Sequence, residues 1–240
     1  MARIFSTDYL QSSSQVYAPL IGVPTRFGAL EVDGAVNLID TNLTLFVSSG
    51  NLRDVKIICC NRSDDPAEIR IAHIDGAIGA IVDADYLFYD VVLYPKETKI
   101  LTIDGMESGD TIMVYSDIID VTFMADGQTM DADYGYKRLD ATVVVADTDT
   151  ALHTSIGPTE NITVVACNKD RTEVAYIRIA IIDAAVIGSL SDEDYIIFDA
   201  LLQPLESKTY NLELDVPVNY TIGVRSTNAL VNYVAYGRIQ

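Results

Sequence analysis

Short apolar or alternating runs of residues follow one another along the chain, separated by turns about every 8–12 residues, a spacing typical of all-β domains. A weaker apolar run near Val36–Ile39 is a candidate for a further strand. No window shows a helical period, and the apolar run at residues 77–82 is too short to assign. In the first half of the chain the pattern predicts these strands: Leu43–Val47, Val55–Asn61, Glu68–Ile74, Tyr86–Leu93, Thr98–Ile103, Thr111–Ser116 and Val121–Ala125.

The same pattern occurs a second time farther along the chain. The stretch "VNLIDTNLTLFVSSGNLRDVKIICCN" (36–61) aligns without gaps on "VVVADTDTALHTSIGPTENITVVACN" (143–168), an offset of 107. Farther on, "DADYLFYDVVLYPKETK" (83–99) aligns on "DEDYIIFDALLQPLESK" (192–208), an offset of 109. The offset grows by single residues between matched blocks, as insertions in surface turns would produce. The chain is therefore a tandem repeat of one unit of about 100 residues.

Each unit has enough short strands for an antiparallel β-sandwich, with an immunoglobulin-like or a jelly-roll topology. The pattern does not distinguish these two topologies. We therefore predict an all-β protein of two tandem antiparallel β-sandwich domains with an N-terminal extension. The predicted division is residues 1–29 for the extension, 30–129 for the first repeat, 130–138 for the linker and 139–240 for the second repeat.

The N-terminal extension spreads apolar side chains through a polar Ser/Gln stretch. Their density is too low for an independent core but high for an inert tail. Such a segment folds onto a partner or packs across its own domains, and both interpretations stay open. If it binds a partner, the candidate docking residues are Ile4, Phe5, Tyr9, Leu10, Val16 and Tyr17.

The charge is strongly acidic, with 16 Lys and Arg against 35 Asp and Glu, and a formal net charge of −19. Such a surface argues against binding to nucleic acid or to anionic lipid, because those interactions need clustered Lys and Arg. The chain shows neither a secretory signal nor a stretch long enough to span a membrane. An odd count of three Cys predicts free thiols in a reducing cytoplasm.

The adjacent pair Cys59–Cys60 raises the question of a metal or redox site. Neighbouring residues on a strand point to opposite faces of a sheet, so the two thiols do not easily bind one ion. The second repeat has Ala166 and Cys167 at these positions and keeps only one thiol. We therefore predict that these cysteines pack as small apolar residues.

His73 and His153 align with the apolar residues Ile181 and Phe46 of the other repeat, which predicts partly buried structural histidines. No sequence motif supplies a nucleophile, a general base, a phosphate loop or a dinucleotide site. We therefore expect no enzymatic activity, no catalytic residues and no bound cofactor or metal.

Two further features recur in both repeats. The acidic pair of Asp83 and Asp85 recurs as Asp192 and Asp194, and it is either a solvated turn or a calcium site, an alternative that stays open. A Pro-x-Glu-x-Lys segment begins at Pro95 and again at residue 204. Its proline sets a turn between two strands, so we expect a scaffold role.

The tyrosines indicate a different function, the binding of sugars. Aromatic rings exposed on a sandwich can stack on sugars, which makes a glycan-binding module for host recognition the alternative to a structural protein. The candidates for such stacking are Tyr134, Tyr136, Tyr233 and Tyr236.

Three recurring motifs carry a family resemblance. They are a strand ending in Cys-Asn-Arg or Cys-Asn-Lys, a strand with Arg-Ile-Ala, and an apolar-aromatic run that starts at Asp-Tyr and ends in Asp. From about residue 30 onward, the chain resembles β-sandwich modules in virion structural proteins of tailed bacteriophages, especially the phages of marine bacteria and cyanobacteria. Those modules have no known active site.

The resemblance implies a structural part of a virion that is assembled in the host cytoplasm. The leading interpretation is a capsid decoration or cement protein, and a neck, tail or fibre protein stays open. The implied partners are other virion proteins, either the major capsid protein or neck and tail proteins. The resemblance also implies a homo-oligomer, for which a trimer is a plausible state.

Overall fold

The computed structural model describes residues 24–32, 39–76, 81–130, 136–183, 187, 190–212 and 214–239. These residues contain sixteen β-strands and two short 3₁₀ turns, Asp83–Asp85 and Asp192–Asp194. The strands form four sheets of four antiparallel strands each. The prediction of an all-β protein built of β-sandwiches is therefore confirmed.

The first eight strands make one sandwich. One of its sheets has the order β1-β8-β3-β6 and the other has the order β2-β7-β4-β5. Apart from β4 and β5, consecutive strands lie in opposite sheets, which is the arrangement of an eight-stranded jelly roll. The strands are β1 (Pro24–Val32), β2 (Leu43–Val47), β3 (Leu52–Asn61), β4 (Ala67–Ile74), β5 (Tyr86–Leu93), β6 (Thr98–Met106), β7 (Thr111–Ser116) and β8 (Val121–Thr129).

The second eight strands repeat this topology. Their sheets have the orders β9-β16-β11-β14 and β10-β15-β12-β13, which match the first sandwich strand for strand. The jelly roll is therefore the topology of both sandwiches, and the immunoglobulin-like alternative is wrong. The strands are β9 (Tyr136–Val143), β10 (Thr150–Thr154), β11 (Thr159–Asn168), β12 (Ala175–Ile182), β13 (Tyr195–Leu202), β14 (Ser207–Asn211), β15 (Thr221–Ser226) and β16 (Val231–Ile239).

The seven strands predicted in the first repeat are confirmed as β2 to β8, three of them with the predicted bounds. The first strand of each sandwich begins earlier than the sequence division suggests. Strand β1 begins at Pro24, within the predicted extension, and β9 begins at Tyr136, within the predicted linker. Both are positioned by pairing with the last strand of their own sandwich, β8 or β16. The weak run at Val36–Ile39 lies outside the described residues except for its last residue, Ile39.

The alternation of buried and outward-facing residues along the strands shows where the cores lie. On β3, Val55, Ile57 and Cys59 are fully buried, while the residues between them face outward. Strand β8 alternates in the same way, with Phe123 inward. Its counterpart β16 is different, because every residue from 231 to 237 is buried. Both faces of β16 are therefore covered, and the second cover comes from the other jelly roll.

Candidate functional site

The two jelly rolls are joined by a continuous buried junction. The edge of the first one, formed by β5, β6 and the turn Asp83–Asp85, packs on the outer face of the β9-β16-β11-β14 sheet. At the centre Leu87, which is 2% exposed, belongs to the same buried apolar cluster as Val165, Val234 and Tyr236. The junction therefore extends the core of the first jelly roll to the second.

Strands β6 and β9 approach each other closely at one point of this junction. A Cβ atom added to Gly105 would lie 2.5 Å from Cδ1 of Tyr136, so a side chain there would displace the ring. The Tyr136 hydroxyl lies 3.0 Å from the carbonyl oxygen of Asn161 and 3.1 Å from Oγ1 of Thr163. These contacts fix the position of the Tyr136 ring, and the absence of a side chain at Gly105 leaves room for it.

A buried histidine connects the two jelly rolls. His73 on β4 is fully buried, with Nδ1 2.8 Å from the Tyr236 hydroxyl and Nε2 3.0 Å from Oδ2 of Asp110. A carboxylate can only accept a hydrogen bond, so we assign the proton of a neutral imidazole to Nε2. Nδ1 then accepts a hydrogen bond from Tyr236. The prediction of structural histidines is confirmed for His73, and His153 is also buried.

Asp110 is the acidic member of this network. Burial by itself would raise the pKa of its carboxyl group, but hydrogen bonds from His73 and from the backbone N–H groups of Gly76 and Glu107 hold that pKa below its ordinary value. The carboxylate therefore serves as an acceptor that orders three neighbouring segments around the junction.

An arginine makes the second polar link. Nη2 of Arg138 on β9 donates to Oδ1 of Asp85 at 3.0 Å, and Nη1 donates to the carbonyl oxygen of His73. The other oxygen of Asp85 accepts from the N–H of Val82 at 2.9 Å. Nearby, Nδ2 of Asn232 donates to the carbonyl oxygen of Tyr86. Buried charges and backbone carbonyls of the first jelly roll are thus satisfied by the second.

Ion pairs line the rim of the junction. Arg171 lies 2.7 Å from carboxylate oxygens of both Glu68 and Asp90, and Nζ of Lys169 lies 2.9 Å from Asp83. They border an open cleft of about 450 Å³ between the jelly rolls. Because each of these cations already faces a carboxylate, the cleft has little net positive charge to offer to an anionic ligand.

Two of the three cysteines, Cys59 and Cys167, are packing residues, as predicted. Cys59 faces the core, and burial raises the pKa of its thiol to about 12. Cys167 is buried under the first jelly roll, where burial raises its pKa to about 11. Cys60, on the outward face of β3, is partly exposed. Nucleophilic thiol chemistry needs a thiolate, so the two buried groups are inert near neutral pH.

The asparagine that follows each of these cysteines explains why Cys-Asn recurs. Nδ2 of Asn61 donates to the carbonyl oxygens of Asp65 and Leu93 at 2.8 and 3.1 Å, and its Oδ1 accepts from the N–H of Ser63. Asn168 makes bonds to residues 173, 203 and 170, which are equivalent to the bonds of Asn61 to residues 65, 94 and 63. A buried asparagine thus closes the turn after the strand in both jelly rolls.

The repeated Pro-x-Glu-x-Lys segment is also structural. Glu97 Oε2 accepts from the N–H of Tyr94 at 2.7 Å, and Lys99 Nζ donates to the carbonyl oxygen of Val92 at 2.6 Å. Glu206 and Lys208 repeat both contacts. The expected scaffold role is confirmed by these bonds.

The acidic turns have different surroundings in the two copies. In the first, Asp83 and Asp85 pair with Lys169 and Arg138 of the second jelly roll, so their charges are already balanced. In the second copy, Asp194 accepts from the N–H of Ser191. No cluster of three or more potential metal ligands occurs in the part of the chain that the structure describes. The calcium alternative therefore gains no support from these turns.

Three of the four tyrosines proposed for sugar stacking are buried. Tyr136, Tyr233 and Tyr236 are 9%, 0% and 1% exposed, so the expectation that they are exposed is wrong. The physical reason is that both faces of β16 are covered. Tyr233 lies in the core of the second jelly roll, whereas the junction buries Tyr136 and Tyr236. Tyr134 lies outside the described residues, as do the six candidate docking residues of the N-terminal extension, Ile4, Phe5, Tyr9, Leu10, Val16 and Tyr17.

The junction itself was missed by sequence reasoning, although aligned positions differ between the repeats in an informative way. Outward positions of the first jelly roll that carry Lys56 and Asp126 carry Thr163 and Tyr236 in the second. A loss of charge confined to the outward positions of one copy is the signal that this sheet is covered.

Comparisons with known proteins identify remote structural neighbours only. No protein-family model and no curated protein matches the chain. The crystal structure of the STIV MCP has 7% identity and a TM-score of 0.36, over 90% of this chain and 94% of that one. The cryo-EM structure of Broad Bean Stain Virus has 9% identity and a TM-score of 0.31, over 100% and 94%.

A third neighbour is a fucolectin from striped bass (Morone saxatilis) serum, with 11% identity and a TM-score of 0.25, over 92% of this chain and 97% of that one. None of these similarities is close enough to indicate a function. In addition, no helix among the described residues is long and apolar enough to cross a membrane.

Proposed function

We propose that the chain is a structural component of a tailed-phage virion, and specifically a decoration or cement protein on the capsid surface. One observation carries the proposal. The polar residues shared by the two repeats, such as Asn61 and Asn168, bind the backbone of their own jelly roll. Those that differ, such as His73 and Tyr236, build the junction. Both sets are used for architecture, as assembly requires and catalysis does not.

The charge supports a place on the outside of a particle. With a formal charge of −19, copies on neighbouring particles repel one another, which favours dispersed virions. The same charge suits docking onto a basic surface of another virion protein. The proposed partner is the major capsid protein. The proposed oligomeric state of the chain is a homo-oligomer, in which several weak contacts add up to firm attachment.

The N-terminal extension is the proposed attachment element. Since β1 begins at Pro24, only residues 1–23 are available for this role without removing a strand of the first jelly roll. The apolar residues at 4, 5, 9, 10, 16 and 17 would provide the contacts.

Image reconstruction of purified virions tests the proposed location. The expected result is a two-lobed density, one lobe for each jelly roll, on the outer face of the capsid. Density at the neck, tail or fibre would contradict the decoration role while preserving a virion role. Absence of the chain from purified particles, by mass spectrometry, would contradict both.

Rebinding to particles that lack the chain tests the attachment element. We expect a chain without residues 1–23 to lose binding, and the double substitution Phe5→Ser and Tyr9→Ser to weaken it. The double substitution Ser12→Ala and Ser13→Ala in the same segment is the matched control and should bind normally. Equal binding of all variants would show that the attachment element lies elsewhere.

A further inference from the structure

The junction covers an edge of the first jelly roll that is open in the second. Leu87 on β5 is 2% exposed, whereas Ile196, at the same position of β13, is 42% exposed. The difference extends along the edge, where Phe198 is 47% exposed and Leu201 is 38% exposed. Tyr176 on the neighbouring strand β12 is 46% exposed. The second jelly roll therefore has an apolar edge of the kind that the first one buries.

The sheet that would cover such an edge is also present and open. In the junction, Val165 and Val234 are the outward residues of β11 and β16 that cluster with Leu87. The corresponding outward residues of β3 and β8 in the first jelly roll are Ile58 and Met124, and both are partly exposed.

A third apolar residue lies beside them. Ile100 is 60% exposed on the neighbouring strand β6, where it pairs with Ile58. The junction uses the outer face of the β9-β16-β11-β14 sheet. The outer face of the β1-β8-β3-β6 sheet thus has apolar residues at the positions that correspond to the centre of the junction.

We propose that two copies of the chain associate by repeating this junction between them. The β13 edge of one copy docks on the outer face of the β1-β8-β3-β6 sheet of another. The inference deepens the proposed homo-oligomer by naming its surfaces, and it rests on that part of the proposed function. Since the two surfaces are different, the contact is heterologous, and it forms a closed ring if the rotation between copies allows it.

Some charged residues at the rim of the junction have counterparts of the same charge on the two surfaces of the proposed contact. Asp83 and Lys169 form an ion pair across the junction, and their counterparts Asp192 and Arg62 keep the same signs. Arg26 pairs with β8 in the register in which Arg138 pairs with β16, so an arginine recurs at this strand position.

Two features of the rim weaken the intermolecular contact. Asp64 stands in place of Arg171, so the pair of Arg171 with Asp90 has no counterpart. Charged Lys56 and Asp126 stand at outward positions that are Thr163 and Tyr236 in the junction. We therefore expect reversible association that depends on concentration.

Sedimentation velocity of the full chain over a range of concentrations is the first test. Ile196→Asp places a charge in the apolar edge and should weaken association at least tenfold. The matched control is Ile156→Asp, which changes an 81% exposed isoleucine that follows β10, on the far side of the same sheet. The control should associate as the original chain does. Met124→Asp, on the opposite surface of the contact, should act like Ile196→Asp.

Thiol labelling shows which surface is covered. Cys60 lies on the outer face of β3, at the position that Cys167 occupies in the junction. Its labelling should slow as the chain associates and recover in Ile196→Asp. Cys59 and Cys167 should stay unreactive in every folded variant, because both are fully buried. If Ile196→Asp exposes them, it has unfolded, and Met124→Asp then decides the question.

Three results would overturn the proposal. The first is a single copy at all concentrations. The second is association that Ile196→Asp and Met124→Asp leave unchanged, which would place the oligomer contact on another surface. The third is protection of Cys60 that depends on residues 1–23 instead of on concentration. None of these results bears on the location of the chain in the virion, which the image reconstruction tests separately.

Discussion

Leu87 and Ile196 occupy equivalent positions on the fifth strands of the two jelly rolls, but Leu87 is 2% exposed and Ile196 is 42% exposed. The intrinsic apolar character of the two side chains is similar, so the difference comes from what covers them. Leu87 is covered by the outer face of the β9-β16-β11-β14 sheet of the second jelly roll. A sequence repeat thus becomes an asymmetric molecule with one covered edge and one open edge.

This relationship predicts a large difference between two similar truncations. Leu87→Ala should lower the free energy of unfolding by about 2–5 kcal/mol, the range for removal of a buried leucine side chain. Ile196→Ala should change it by about 0.5 kcal/mol or less at low protein concentration, because the side chain already contacts solvent. Urea unfolding followed by circular dichroism measures both. Equal losses in the two variants would contradict the described junction.

The turn asparagines should be essential for stability. Asn61→Ala leaves buried carbonyl groups without their donor, and each unsatisfied group costs about 1–3 kcal/mol. We expect a clear drop in melting temperature for Asn61→Ala and for Asn168→Ala. Cys60→Ser, which changes the adjacent outward residue, is the control and should leave the melting temperature nearly unchanged. A similar drop in the control would indicate that the whole segment is sensitive, independently of the asparagine.

Acid should weaken the network around His73. The pKa of Asp110 in the folded chain lies below the ordinary value of 3.8, so the folded state favours the carboxylate. Its contribution to stability is fully present above pH 3.8 and is lost as the pH falls through the lower pKa of the folded state. Asp110→Asn should therefore be less stable near neutral pH and should lose less stability on acidification. An acid unfolding curve that keeps its slope in Asp110→Asn would contradict this role.

The buried pair of Arg138 and Asp85 gives a test by double substitution. Arg138→Met should cost about 3–5 kcal/mol, because it leaves the carboxylate of Asp85 buried without its partner. Asp85→Asn removes that charge and keeps an oxygen that can accept from the N–H of Val82. The double variant should therefore be more stable than the sum of the two single losses predicts. Additive losses in chemical unfolding would show that the two side chains do not interact.

Much of the fold could be predicted from sequence because its determinants are local. Strands such as Leu43–Val47 and Thr111–Ser116 are short apolar runs between turn residues, and the structure has them with the same bounds. Strand β1 was different, since "PTRFGALEV" has little alternation and its place is set by pairing with β8, a strand of the same sheet that lies about 90 residues later in the chain. Non-local pairing of this kind leaves little trace in a single sequence.

The junction was not predicted, for a similar reason. An apolar residue such as Leu87 is equally consistent with a core, a domain contact or a docking surface. Tyr233 and Tyr236 were interpreted as exposed rings, because the sequence of β16 taken by itself does not show that both of its faces are covered. The jelly-roll topology also depends on which strands pair within each sheet, and the order of strands along the chain does not reveal it.

The proposed virion role is tested most directly by image reconstruction of purified particles. We predict two adjacent jelly-roll densities for each copy on the outer capsid surface, joined as the β5–β6 edge and the β9-β16-β11-β14 sheet are joined in the chain. Purified virions that contain no such density, and no peptide of this chain by mass spectrometry, would contradict it.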